Sequence, residues 1–100
     1  MNNKPLSTTR AARFALGSLF ATPGAHAALQ AAGKEPAEFL ARHECSDWGE
    51  VGEEDRAENE LSVERGFRIM SVYRLNDDVK IWIITEADRS STTILLPSEY

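Results

Sequence analysis

The stretch FRIMSVYRLNDDVKIWIITEADRSSTTILLP, residues 67 to 97, decides the fold. It divides into three apolar runs rich in β-branched and aromatic residues, separated by polar turn chemistry, which is the pattern of strands. FRIMSVYRL is the first strand, VKIWIITEA the second and TTILLP the third. Asn76-Asp77-Asp78 is short enough to close a hairpin between the first two. Alternation puts Phe67, Ile69, Ser71 and Tyr73 on one face, and Arg68, Met70, Val72 and Arg74 on the other. In the second strand Val79, Ile81 and Ile83 alternate with Lys80, Trp82 and Ile84, so both faces are apolar, as in a central strand. The expectation is a three-stranded antiparallel meander.

Upstream, the signals turn helical. Thr22-Pro23 supplies a hydroxyl cap and a proline at the first helical position, and the helix AHAALQAA ends at Gly33. Glu35-Pro36 opens a second helix, AEFLARHE, with Phe39 and Leu40 facing the core. EEDRAENELSVERG reads as a third helix ending at Gly66. Its first turn carries Glu53, Glu54 and Asp55 at the positive end of the helix dipole, and Ala57 and Leu61 form a narrow apolar seam. Between the second and third helices lies the loop CSDWGEVG, whose Trp48 is placed to plug the core. The segment TRAARFALGSLFAT leaves helix and short strand both open over residues 14–21. Residues 1–8 read as a loose tail, and residues 9–100 as a single α+β domain with the meander packed against N-terminal and central helices.

A chain of 100 residues holds one domain with a thin core. Its net charge of -5 argues against direct nucleic-acid binding, which calls for a basic face. The charge is segregated: Glu44 to Arg65 holds nine acidic and two basic residues, and the rest of the chain seven acidic and nine basic. Cys45 is the only cysteine, which excludes an intramolecular disulfide and a cysteine-based zinc site. RFALGSLFA is too short to span a membrane. Lys4, Arg10 and Arg13 followed by FALGSLFA and ATPGAHA follow the order of a secretory signal. Its removal would leave a small chain with no disulfide to compensate, so a cytoplasmic protein is the expectation.

Three clusters carry chemistry-bearing residues. RHECSDWG contains His43, Cys45, Asp47 and Trp48, residue types suited to acid–base work or to holding a metal, although no second cluster completes a metal site. ITEADRSSTT brings Thr85, Glu86, Asp88 and Arg89 to the end of the second strand, where they form either a charged binding edge or a polar hairpin turn. The third helix presents Glu53, Glu54, Asp55 and Glu58, a face able to mimic phosphates toward a basic site. The leading expectation is a non-enzymatic interaction protein that binds a protein partner through the acidic helix or the 86–89 edge, with no cofactor. The rival is a small hydrolase or nuclease-like enzyme using His43, Asp47, Glu86 and Asp88, which requires those side chains to converge in one pocket. A third reading is a structural homodimer in which TTILLP pairs across a two-fold axis.

The order TPGAHAALQAAG, RHECSDWGE, RIMSVYRL and IWIITEADRSSTTILLPSEY resembles a group of small, plasmid-related bacterial proteins of mobile elements. The resemblance covers about residues 14 to 100, with the DWG and ITEADRS blocks its specific parts. It implies a mobile-element setting and a shared fold, and ties Asp47, Trp48, Thr85, Glu86, Asp88 and Arg89 to the group's pattern. An anti-defence factor acting on a restriction or CRISPR system is the most specific role in that setting.

Overall fold

The computed structural model describes residues 11–100, and the tail expected over residues 1–8 lies outside them. Along the chain run β1 (Ser18–Ala21), α1 (Pro23–Ala32), α2 (Pro36–Glu44), α3 (Glu53–Arg65), β2 (Ile69–Arg74), β3 (Lys80–Thr85), β4 (Ser91–Leu95) and a 3₁₀ turn at Pro97–Glu99. The α+β class and the three helices stand where the sequence signals put them. The sheet does not match the expected three-stranded meander. It has four strands in the order β1-β4-β3-β2, with antiparallel β2–β3 and β3–β4 pairs and a parallel β1–β4 pair. Residues 18–21 form the added strand. A parallel partner is set by a long-range connection, which local periodicity does not encode.

The register confirms the alternation. Ile69, Ser71 and Tyr73 pair with Thr85, Ile83 and Ile81, and Thr85 and Ile83 pair with Thr92 and Ile94, so these side chains share one face. On that face α1 and α2 deliver Ala25, Leu29 and Phe39 into a core with Tyr73, Leu75, Ile81, Ile83 and Ile94. Burying each large side chain there contributes about 1.5–3 kcal/mol. The Thr22 hydroxyl caps α1 by accepting the Ala25 N–H (3.2 Å). The C-terminal turn meets the same helix end, where the Glu99 carboxylate accepts from the Thr22 hydroxyl and the Gly24 N–H. On the opposite face Trp82 packs edge-on against Tyr100, with ring centroids 5.4 Å apart.

β4 lies between β1 and β3, so both its hydrogen-bonding edges are occupied. This corrects the expectation that TTILLP pairs across a two-fold axis: an interior strand offers no edge to a second copy. The edges of the sheet are β2 and β1. Beyond β2, the loop before α3 adds a one-residue parallel bridge, Gly49 to Val72, and the Asn59 side chain exchanges two hydrogen bonds with the Met70 backbone (2.7 and 3.2 Å).

Candidate functional site

His43, in the last turn of α2, projects into the sheet and is fully buried. Its Nδ1 lies 2.6 Å from the Ser71 hydroxyl and its Nε2 lies 2.9 Å from the Thr85 hydroxyl. Thr85 Oγ1 is 2.7 Å from Thr92 Oγ1, which donates to the Leu16 carbonyl (2.7 Å). That terminal carbonyl can only accept, and this assigns every proton in the chain. Thr92 gives its one proton to Leu16, so it accepts from Thr85. Thr85 in turn accepts from His43 Nε2–H, which leaves Nδ1 as an acceptor for Ser71. The imidazole is neutral. Burial, with a further contribution from the Arg89 charge, pushes its pKa down from 6.5 to about 3. Ser71, Thr85 and Thr92 are also fully buried, so no solvent-borne substrate reaches a Ser–His pair here. The network is a satisfied polar seam in the core rather than an acid–base centre.

The DWG block closes this seam from one side. Trp48 is buried against His43, and its indole N–H donates to Glu60 on α3 (3.1 Å). Asp47 pairs with Arg42 (2.7 Å) and accepts the Gly49 N–H, while its carbonyl accepts the Tyr73 hydroxyl. Gly49 has a φ of 75° and approaches β2 so closely that a Cβ would sit 1.9 Å from the Val72 carbonyl oxygen. Only glycine fits there. All three residues of the motif are explained by how the loop docks on β2.

The ITEADRS block closes it from another. The chain turns after Thr85, with Arg89 N–H donating to the Glu86 carbonyl (2.9 Å) and Asp88 accepting from Ser90 N–H (3.0 Å). Arg89 takes a left-handed φ of 61°. Its guanidinium donates to the carbonyls of Phe67 (2.7 Å), Glu86 (3.2 Å) and Ala87 (3.1 Å), and to that of Ser62 near the end of α3 (2.7 Å). Arg89 is thus a clamp tying the β3–β4 turn to the α3 terminus. Glu86 pairs with Arg68 (3.3 Å) and lies across the strand from Thr85. The polar-turn reading of this block is the one the geometry supports.

His43, Asp47, Glu86 and Asp88 therefore do not converge as the enzyme reading requires. His43 bonds Ser71 and Thr85 on the helix-covered face, Glu86 and Arg68 alternate to the opposite face, and Asp88 stands exposed at the turn. Among the described residues no group of three or more His, Cys, Asp or Glu side chains is placed to hold a metal ion, so His43, Cys45 and Asp47 form no such site. The two sequence blocks meet directly in the His43–Thr85 bond, and a residue in neither bridges them a second time. The Phe14 ring stacks on Trp48 (centroids 6.2 Å, planes 19° apart), meets His43 edge-on (5.2 Å) and lies under the Arg89 guanidinium (5.6 Å). Phe14 sits in a segment whose period is undecided, so nothing in the sequence singles it out.

The acidic helix differs from expectation in a more useful way. The buried positions of α3 are Asn59 and Ser62, while Ala57 and Leu61 face outward, Leu61 with 39 % of its surface exposed. The apolar seam is turned to solvent. With Glu54, Asp55 and Glu58 it lines a shallow open hollow of about 490 Å³. Among the described residues none of Glu53, Glu54, Asp55 and Glu58 has an ion-pair partner, whereas Glu60 on the inner flank pairs with Arg13 (2.8 Å). Among the described residues no helix is long and apolar enough to cross a membrane.

The chain matches no family model, no curated protein and no solved structure. What the fold and the site geometry define is a small α+β domain with a closed polar seam in its core and an acidic, partly apolar helix face turned outward.

Proposed function

We propose that this protein is a non-catalytic interaction module that docks on a basic protein surface through the outward face of α3. The observation that supports the reading is the inverted helix: polar Asn59 and Ser62 are inside, while Ala57 and Leu61 are outside, flanked by carboxylates that have no ion-pair partner among the described residues. A helix held to its own domain largely by hydrogen bonds, with Ala57 and Leu61 outside and only Val63 half-buried, has the anatomy of an interface: a small apolar centre within a charged rim. The rim steers a positively charged partner and adds specificity, and Leu61 supplies the anchor.

The resemblance to mobile-element proteins narrows the partner class. In that setting the basic surface belongs to a cytoplasmic enzyme that handles nucleic acid, such as a restriction or CRISPR complex, and the α3 carboxylates take the place of phosphates. Affinity capture from a host lysate tests this with the intact protein and a Glu54→Lys/Asp55→Lys/Glu58→Lys variant. A partner retained by the intact protein, released at about 0.5 M salt and lost by the variant is the expected result. Equal retention by both proteins would refute the α3 surface.

A further inference from the structure

We infer that β1 is a self-pairing edge: it joins antiparallel to β1 of a second copy about a two-fold axis at Phe20, merging two four-stranded sheets into one. The two edges of this sheet are treated differently. β2 is sealed by the Gly49 bridge and by the Asn59 amide on Met70. All four residues of β1 are exposed, and SLFA contains none of the charge or proline that blunts an edge.

The backbone directions are set by the β4 pairing. Ser18 N–H bonds the Ser90 carbonyl and Thr22 N–H bonds the Ile94 carbonyl, so even-numbered positions face β4. Alternation turns the N–H and C=O groups of Leu19 and Ala21 outward. This arrangement is self-complementary. With the axis at Phe20, Leu19 of each copy exchanges both hydrogen bonds with Ala21 of the other. The two Phe20 rings then meet as the close, non-hydrogen-bonded pair at the centre. Leu19 and Phe20, 55 % and 57 % exposed on opposite faces, are covered together.

Charge selects the occupant. Residues 14–33 contain no Asp, Glu, Lys or Arg, in a chain that is 27 % charged. The one carboxylate beside the strand, Glu99, is already taken up by Thr22, Gly24 and Leu96, so the edge favours a neutral apolar strand over a charged peptide, and a second copy brings one. Because α3 docks along β2, at the far edge of the sheet, the pairing also keeps the two acidic helices apart despite the net charge of -5. An edge this short buries less than a standard interface, so the expected Kd is on the order of 10–100 μM.

The mass in solution of the intact protein, followed from about 10 μM to about 1 mM, should rise from 11.1 kDa toward twice that value. Phe20→Lys opposes two ammonium groups at the axis, and Leu19→Pro deletes an outward N–H without touching the β4 ladder. Both should stay monomeric over the same range. Hydrogen exchange on the unmutated protein decides the matter even if a variant fails to fold: the Leu19 and Ala21 amides should slow about four- to sevenfold across the concentration range, as the free-monomer fraction falls. A protein that stays monomeric, exchange at Leu19 and Ala21 that ignores concentration, or a dimer that survives both substitutions in folded protein would overturn the inference.

Discussion

Arg89 shows how a residue that reads as chemistry becomes architecture. An exposed-looking arginine beside Glu86 and Asp88 suggests a charged edge, yet its guanidinium is taken up by four main-chain carbonyls, from the β3–β4 turn, from Phe67 two residues before β2, and from α3. Hydrogen bonds from a charged group contribute about 1.5–3 kcal/mol each, less where several share one group. Arg89→Ala should therefore cost about 2–4 kcal/mol in urea unfolding. Arg89→Lys should recover little, since one ammonium cannot span the Ser62 and Phe67 carbonyls as a planar fork does. Arg89→Gly should lie about 1 kcal/mol above Arg89→Ala, because it relieves the left-handed backbone. Equal stability of Arg89→Ala and the unmutated protein would remove the clamp.

At the scale of elements, α3 is held in an unusual way. Its fully buried positions are polar, Val63 is only half-buried, and its attachment runs through Asn59 to Met70, Ser62 to Arg89, and Glu60 to Trp48 and Arg13. A helix docked by polar groups depends on their chemistry more than on their volume. Asn59→Ala leaves the Met70 N–H and C=O unsatisfied and should cost about 2–4 kcal/mol. Asn59→Asp nearly preserves the shape but points a carboxylate oxygen at the Met70 carbonyl, so its urea midpoint at pH 7 should be no higher than that of Asn59→Ala. An Asp variant as stable as the unmutated protein would show that volume, not the amide donor, holds the helix. The helix itself was legible from its acidic start and its glycine stop. Which side faces in was not, because Ala57 and Leu61 indicate the reverse.

For the molecule as a whole, the buried imidazole couples folding to pH. The unfolded chain takes up a proton at His43 below pH 6.5, and the folded chain does so only near pH 3. Its contribution is therefore complete above pH 6.5 and declines as the pH falls toward 3. The slope approaches 1.4 kcal/mol per pH unit, so about 2–3 kcal/mol should be lost between pH 6.5 and 4.5. Carboxylates held below their ordinary range by partners, Glu60 with Arg13 and Glu99 with Thr22, add their loss only at lower pH. Urea midpoints of the unmutated protein should fall across that window, while those of His43→Asn, lower at pH 7, should stay nearly flat. A parallel fall in both would assign the titration to another group.

Helix limits, the three C-terminal strands, the alternation within Ile69–Arg74 and Lys80–Thr85 and the segregation of charge were legible in the sequence. These follow from periodicity, caps and composition, all of which act over a few neighbours. Phe67, expected on the face of Ile69 and Tyr73, instead lies before β2 and is exposed. The rest is set by tertiary contacts: that residues 18–21 join the sheet in parallel, that β4 is interior, that α3 turns its seam outward, and that His43–Thr85 and Phe14 bring the DWG and ITEADRS blocks together. Each depends on a contact between segments far apart in the chain. The side chains that make those contacts, an Asn amide on a strand edge or an Arg fork on four carbonyls, carry no local signature of the partner they will meet.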